Sequence, residues 1–323
     1  MRLQVNLMNI AILTSGGDAP GMNVAIRAAV RYGIKKGHKF FGVKNGYYGL
    51  VNDDFEELKH DSMSGIISKG GTILKTSRFP EFPEEANIDR ALSNLEKRDI
   101  GGLIVIGGDG TYKGALNLTK RGFKVVAIPG TIDNDIYGTD YTLGFHTALD
   151  TVVGAMDKLR DTSVSHQRCS IIEVMGRHCG DLALHAALSG GAEFLVTPEN
   201  PLSKDEIIEK LKHYKRVDRT HAIVVVTEHM MDVHEFAKEI TEKSKFNSTA
   251  TVLGYIQRGG SPSAQDRIIG TRMGAFAIDL FERGIDNVAI GIENDQLMFL
   301  PINIVVNNKR RVNPLYKLVA EVS

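Results

Sequence analysis

The sequence predicts an α/β protein built on largely parallel sheets. Short apolar runs rich in Val and Ile alternate with amphipathic stretches from end to end, as strands buried on both faces alternate with the helices that cover them. Several of these runs lead at once into Gly-rich polar loops, which is where open parallel sheets carry their ligand sites. The chain has 323 residues, 42% of them hydrophobic, enough for two domains with cores of their own.

In chain order the expected strands are 10–13, 39–43, 103–106, 124–128, 170–174, 194–197, 222–226, 251–253, 288–292 and 296–300, most of them dominated by Val and Ile. After the first, Met22, Ile26, Val30 and Ile34 recur every four residues with Arg27, Arg31 and Lys35 off that stripe, the pattern of a helix with one buried face. Leu149, Val153, Met156 and Leu159 repeat it. The turn at 138–140, together with chain length, puts a domain boundary near residue 143. No internal repeat, low-complexity tract or Pro-rich linker interrupts the chain. Residues 1–7 read as a short disordered extension, since a second Met stands at position 8 just before the first strand.

Composition narrows the function. The 39 basic and 39 acidic side chains cancel, which removes any general attraction to nucleic acid or an acidic membrane surface. No apolar run approaches the roughly 20 residues of a membrane span, and the N-terminus lacks the apolar core of a secretion signal. The two cysteines, Cys169 and Cys179, point to a reducing compartment and a cytoplasmic protein. Neither has a base partner in the sequence, and they read as small buried residues. His146, His166, His178, His185 and His221 show no metal-ligand spacing.

The chemistry is concentrated in five loops, each after an expected strand. In Pro129-Gly-Thr-Ile-Asp-Asn-Asp135 two carboxylates, Asp133 and Asp135, stand two apart beside Thr131 and Asn134. One carboxylate can take a proton from an attacking hydroxyl while the other serves a cation, the division of labour of phosphoryl transfer to an alcohol. Asp135 also fits a plain turn. In Thr14-Ser-Gly-Gly-Asp-Ala-Pro-Gly-Met-Asn23 the glycines let backbone amides approach a phosphate at a helix N-terminus; the same residues make an ordinary tight turn. Ile106-Gly-Gly-Asp-Gly-Thr-Tyr112 clears space for a triphosphate, with Asp109 available to Mg2+ or as a helix cap. Arg177, in Met175-Gly-Arg177, can neutralise a phosphoryl group in transfer, and Arg258 offers a planar fork for a phosphate.

Taken together and in order, Leu13-Thr-Ser-Gly-Gly-Asp-Ala-Pro-Gly-Met-Asn23, Gly107-Gly-Asp-Gly110, Pro129-Gly-Thr-Ile-Asp-Asn-Asp135, Met175-Gly-Arg177 and Gln257-Arg-Gly-Gly-Ser-Pro262 resemble the bacterial, ATP-dependent branch of the phosphofructokinase family. The resemblance runs from about residue 8 to 293 and is weaker over the last thirty residues. It implies two Rossmann-like three-layer α/β/α domains. Residues 1–143 with about 261–308 would bind ATP, and 144–260 with about 309–323 the sugar phosphate. It further implies a homotetramer and transfer of the γ-phosphate of MgATP to the 1-hydroxyl of fructose 6-phosphate, giving fructose 1,6-bisphosphate and ADP, the committed step of glycolysis.

Residue by residue, the resemblance makes Asp133 the general base and gives Asp109 and Asp135 to Mg2+. Thr131 would touch the transferred group and Arg177 would stabilise its charge. Arg78, beside Phe79, would reach the nucleotide phosphates, and Gly17, Tyr47, Gly108, Gly110 and Thr111 would complete the ATP site. Met175, Gly176 and Glu228 would contact the sugar. Arg258 and, from a neighbouring subunit, Arg168 would hold its 6-phosphate. Pyrophosphate-dependent relatives carry Asp in place of Gly110 and Lys in place of Gly130; both glycines leave room for a nucleotide and point to ATP.

The pattern breaks at the 6-phosphate. Thr249 stands where the family has a second subunit-crossing arginine, and Tyr255 where it has a histidine. A hydrogen bond to a charged group contributes about 1.5–3 kcal/mol, so about tenfold or more weaker sugar-phosphate binding is expected per lost ligand. Lys243 and Lys245 lie close enough in sequence to substitute. Residues of the family's ADP or phosphoenolpyruvate effector pocket match at Arg27, Arg31, Arg160, Glu193, Arg219 and His221, while His60, Gly65 and Val217 depart from it, so altered allosteric control is expected. Two other readings fit the same motifs: a kinase of a related sugar phosphate such as tagatose 6-phosphate, and a non-catalytic regulatory subunit.

Overall fold

The computed structural model describes residues 7–322; residues 1–6 and 323 lie outside the described residues, and with them nearly all of the extension expected at 1–7. Two compact units form. The first comprises Met1–Ile132, Ile136–Thr147 and Arg258–Arg310, the second Asp133–Asp135, Ala148–Gln257 and Arg311–Ser323. The chain passes between them at 132/133, 135/136, 147/148, 257/258 and 310/311; the sequence placed boundaries at 143/144, about 260/261 and 308/309, and none around Asp133–Asp135.

The strands are β1 (Asn9–Ser15), β2 (Lys39–Val43), β3 (Phe55–Leu58), β4 (Ile100–Gly107), β5 (Val125–Pro129), β6 (Cys169–Val174), β7 (Phe194–Val196), β8 (Ala222–Thr227), β9 (Ser248–Val252), β10 (Val288–Glu293) and β11 (Gln296–Pro301). The helices are α1 (Met22–Lys35), α2 (Gly46–Val51), α3 (Glu85–Glu96), α4 (Asp109–Lys120), α5 (Phe145–His166), α6 (Asp181–Gly190), α7 (Lys204–Arg216), α8 (Val233–Ser244), α9 (Ala264–Glu282), α10 (Ile302–Asn307) and α11 (Leu315–Val322).

The first unit is built on a sheet of order β11-β10-β5-β4-β1-β2-β3, parallel inside, with antiparallel pairs only at its two edges. Side chains of β1 and β4 are buried on both faces, which is why these strands read as unbroken apolar runs. From β1 the chain goes out to β2; from β4 it continues the other way to β5. The order therefore reverses between β1 and β4, the place where a doubly wound sheet opens a crevice at its carboxyl edge. On one side of the unit α1 packs on α9, burying Met22, Ile26 and Val30 as their spacing predicted.

The second unit carries a four-stranded, wholly parallel sheet of order β7-β8-β6-β9. Phe194, Phe236 and Phe246 fill its core with the aliphatics of β8. Among the described residues no helix is long and apolar enough to cross a membrane.

Three expectations need correction. β3 was missed because Glu56 and Glu57 interrupt it; it is an edge strand, and edges tolerate charge. The strand expected at 251–253 lies at Ser248–Val252, so Thr249 is part of it, paired in register with Ser170. In α5 the buried apolar residues are Phe145, Ala148, Val152 and Met156, whereas Leu149, Val153 and Leu159 are only half-buried. Met156 belongs to both stripes, so a four-residue repeat alone fixed the wrong phase. The start of this helix is set by Asp266, which accepts from the amides of Gly144 and Thr147, both at 2.8 Å.

Candidate active site

In the first unit β1, β4 and β5 are neighbours, so the three polar loops at their carboxyl ends emerge side by side. The first two are tied together. Thr111 Oγ1 donates to the carbonyl of Ser15 at 2.9 Å, and the Tyr47 hydroxyl donates to the carbonyl of Thr111 at 2.6 Å. Both side chains are buried, with the Tyr47 ring stacked on Phe82 at 4.1 Å. Tyr47 and Thr111 thus hold the loop from beneath, and their polar groups are already committed within the protein.

Asp109 is the first residue of α4, and Gly108 is its cap, which sets aside the reading of Asp109 as a helix cap. Its half-exposed carboxylate pairs with Lys113 at 2.6 Å, a surface contact of little energetic weight that does not lock it. A side chain at Gly110 would meet nothing within 4 Å. Open space thus lies over a helix N-terminus whose amides favour an anion.

The segment carrying Arg78 and Phe79 is strapped to the first loop. Thr14 Oγ1 donates to the carbonyl of Lys75, Thr76 Oγ1 to that of Gly16, both at 2.8 Å, and Ser77 Oγ to that of Asn45 at 2.7 Å. Arg78 itself is exposed. A Cβ placed on Gly17 would sit 3.3 Å from Cζ of Arg258. The guanidinium assigned to the sugar phosphate thus lies over the glycine assigned to the nucleotide.

The carboxylate loop is pinned where it leaves β5. Gly130 N donates to the carbonyl of Gly107 at 3.0 Å, and Thr142 Oγ1 to that of Thr131 at 2.5 Å. A Cβ at Gly130 would stand 2.9 Å from Cγ2 of Ile106 and 3.2 Å from Cε of Met22. The expectation that Gly130 leaves room for a nucleotide is corrected: its neighbours are core side chains, and packing demands the glycine. Beyond it, Asn134 is wholly buried with φ at 54°, a left-handed conformation that asparagine tolerates better than most residues. Its side-chain amide donates to Oδ2 of Asp181 at 2.9 Å. Asn134 therefore makes the turn, with Asp133 and Asp135 half-buried on either side of it.

In the second unit the loops after β6, β8 and β9 converge in the same way. Glu228 Oε1 accepts from the amides of Gly176 at 3.2 Å and Arg177 at 2.9 Å. Met175 N donates to Oε1 of the buried Gln257 at 3.1 Å. Arg177 is exposed with φ at 56°, a backbone held only by its surroundings. Burial and the nearby Glu228 push the Glu173 carboxyl pKa up. Tyr255, 75% exposed, follows β9 at this same end.

Arg168 and Thr249 are elsewhere. They stand at the amino ends of β6 and β9, so the length of β6, about 20 Å, separates them from Met175, Gly176 and Arg177 of their own chain. Arg168 donates to Thr162 Oγ1 at 3.3 Å. Lys243, a candidate substitute ligand, is taken up by Glu239 one turn earlier on α8, while Lys245 closes that helix in a left-handed conformation.

Among the effector-pocket residues, Arg160, Glu193 and Arg219 come together. Glu193, almost buried, accepts from Arg219 Nη2 and from the amide of Ile223, both at 2.6 Å, with Arg160 at 3.9 Å. His221 is half-buried beside them in sequence, at the start of β8. Arg27 and Arg31 lie on α1 of the first unit, where Arg31 donates to Ser64 Oγ at 2.9 Å.

Among the described residues no cluster of three His, Cys, Asp or Glu forms a protein cage for a metal ion. The half-exposed carboxylate of Asp109, beside the open space over the α4 N-terminus, suits the way Mg2+ is usually held, by one or two carboxylates together with the phosphates of a nucleotide. Both cysteines are buried, and burial pushes each thiol up to about 12, which leaves them unreactive. Sequence reasoning gave Gln257 no role although it opens one of the motifs, and missed Asp181 and the bend at Asn134, the last with a local signal in an asparagine between two aspartates.

A family model described as Phosphofructokinase matches residues 9–281. The chain belongs to the phosphofructokinase family. It is 51% identical over 314 residues to the ATP-dependent 6-phosphofructokinase of Aliivibrio salmonicida, covering 97% of this chain and 98% of that one. Among solved structures, the phosphofructokinase of Saccharomyces cerevisiae superposes with a TM-score of 0.85 at 32% identity, over 93% of this chain; that chain is longer, and 45% of it is covered. A pyrophosphate-dependent phosphofructokinase from Marinobacter aquaeolei gives 0.84 at 20% identity, over 95% of this chain and 86% of that one, and shows the shared fold alone. The two-unit α/β architecture with mainly parallel sheets is thus the phosphofructokinase fold.

Proposed function

We infer that this phosphofructokinase transfers the γ-phosphoryl group of MgATP to the 1-hydroxyl of fructose 6-phosphate. The observation that carries this is the unbroken loop from Pro129 to Asp135, in a chain 51% identical along almost its whole length to an ATP-dependent 6-phosphofructokinase. The loop presents two carboxylates around a buried asparagine.

The first unit takes MgATP. Its phosphates lie over the α4 N-terminus, in the space above Gly110, with Gly17, Gly108 and the exposed Arg78 around them. Asp109 and Asp135 would serve Mg2+, which would supply neutralisation of phosphate charge. The second unit takes the sugar against Met175, Gly176 and Glu228. Asp133 accepts the proton of the 1-hydroxyl as that oxygen forms its bond to the γ-phosphorus and ADP leaves. Arg177 faces the charge on the transferred group, its backbone fixed by Glu228, and Thr131 contacts that group.

Arg168 and Thr249, remote from their own chain's Arg177, serve the 6-phosphate of a neighbouring subunit in a homotetramer. Arg258 and Tyr255 serve it from within. Arg27, Arg31, Arg160, Glu193, Arg219 and His221 form an effector site for ADP or phosphoenolpyruvate, and the two separate, unpaired cysteines suit a cytoplasmic enzyme. Tyr255 and Thr249 favour one second reading, a kinase of tagatose 6-phosphate. Following ADP release with ATP and each sugar phosphate, and orthophosphate release with pyrophosphate as donor, decides among them: fructose 6-phosphate with ATP should give the highest kcat/KM.

A further inference from the structure

The loop that carries Asp133 and Asp135 is linked to the C-terminal segment of the chain, the part where sequence resemblance to the family is weakest. Asn134 spends its side-chain amide on Oδ2 of Asp181. The other oxygen of that buried carboxylate, Oδ1, accepts from Nδ2 of Asn313 at 3.3 Å. One carboxylate therefore holds the catalytic loop and the C-terminal segment together. Asn313 is itself oriented, because its Oδ1 accepts from the amide of Leu315 at 3.1 Å and so starts α11.

A second link runs in parallel. Gly180, the residue before Asp181, donates its amide to both oxygens of Glu199 at 3.1 and 3.0 Å. Glu199 Oε2 also accepts from the Tyr316 hydroxyl at 2.9 Å, which lies 2.9 Å from Thr197 Oγ1. Burial pushes the Tyr316 pKa up, so the phenol stays protonated and available as a donor at any working pH. Helix α11 packs on α6, which begins at Asp181.

A buried carboxylate is stable only with donors around it, and a left-handed asparagine keeps that backbone only where its surroundings fix it. Both conditions are met at Asn134 through groups that the C-terminal segment helps to place.

We propose that Asn313 and Tyr316 are positioning residues for phosphoryl transfer: through Asp181 and Glu199 they hold Asn134 in its bend, and with it the Asp133 carboxylate that accepts the proton. The proposal rests on the role given to Asp133 above. Misplacing a base weakens the transition state more than substrate binding, so the effect belongs in kcat.

Asn313→Ala is expected to lower kcat on the order of tenfold, the scale of one hydrogen bond to a charged group, with KM for MgATP unchanged and the thermal midpoint little moved. Asn313→Gln, which keeps an amide, should recover part of the loss, and Tyr316→Phe should lower kcat more mildly. The decisive comparison is with Asn134→Ala: in that background Asn313→Ala should have no further effect on kcat. Equal losses in both backgrounds, or a folded Asn313→Ala enzyme with unchanged kcat, would overturn the proposal. If Asn313→Ala fails to fold, Tyr316→Phe in the two backgrounds gives the same test. A wild type without turnover would sink the assigned reaction, and the link is then read by amide hydrogen exchange over residues 129–136. Faster exchange in Asn313→Ala supports it; unchanged protection refutes it.

Discussion

Glu228 grips Arg177 by the backbone: the Arg177 amide donates to Oε1 of Glu228 at 2.9 Å, and the Gly176 amide shares the same oxygen. A residue assigned to the sugar by resemblance thus has a prior commitment to the loop that presents the arginine. Glu228→Ala removes the acceptor of two amides and frees Arg177 from its left-handed conformation. At about 1.5–3 kcal/mol for a hydrogen bond to a charged group, kcat/KM for fructose 6-phosphate should fall by about 10- to 100-fold. Glu228→Gln keeps an oxygen acceptor, so steady-state kinetics should show most of kcat retained. Equal losses in both variants would mean that the negative charge matters and the grip does not.

Gly110 and Gly130 should behave differently although sequence comparison treats them alike. The space over Gly110 is open, while a Cβ at Gly130 meets Ile106 and Met22. Gly110→Asp should weaken ATP use with little change in thermal midpoint, since the new carboxylate only repels phosphates. Gly130→Lys should lower the midpoint outright, by several degrees, because overpacking a core costs about 1–3 kcal/mol. Thermal unfolding of the two variants separates the cases, and equal midpoints would contradict the packing argument.

Thr249→Arg restores a cation at the amino end of β9, beside Arg168 across the strand pair. KM for fructose 6-phosphate should fall about tenfold, on the scale of one charge-assisted hydrogen bond, with KM for ATP unchanged. An unaltered sugar-phosphate KM would show that Thr249 stands at no phosphate.

His38 gives a pH-dependent term in stability. It is buried, and its Nδ1 accepts from the amide of Met8 at 3.3 Å, which requires a neutral ring. Burial lowers its pKa below the usual 6.5, against the opposing pull of Glu282. With the folded pKa depressed, its contribution is complete above about pH 6.5 and is lost as pH falls through the folded pKa. Denaturant midpoints should therefore drop on acidification more in the wild type than in His38→Gln. Parallel pH profiles would refute this.

Much of the site was legible because phosphate chemistry is written locally. The runs at 13–23, 107–110 and 129–135 hold their glycines and carboxylates within a few residues of a strand end, and parallel topology then brings those ends together. What was not legible is what depends on distance along the chain. Asp181 lies 47 residues from Asn134 and 132 from Asn313, so no local pattern announces their link. The charged edge strand β3 was hidden for a different reason: Glu56 and Glu57 break an apolar signal that an edge does not need. The crowding at Gly130 and the burial of Tyr47 and Thr111 are matters of packing that a motif does not carry.

The proton-accepting role proposed for Asp133 is the centre of the mechanism, and removal of that carboxylate is the most direct measurement. Purified wild type and Asp133→Ser are compared in a coupled assay with fructose 6-phosphate and MgATP. The wild type should turn over, and Asp133→Ser should lose about 100- to 10,000-fold in kcat, the usual worth of a positioned general base, with KM values close to unchanged. A folded Asp133→Ser enzyme that keeps most of its kcat would contradict the assignment.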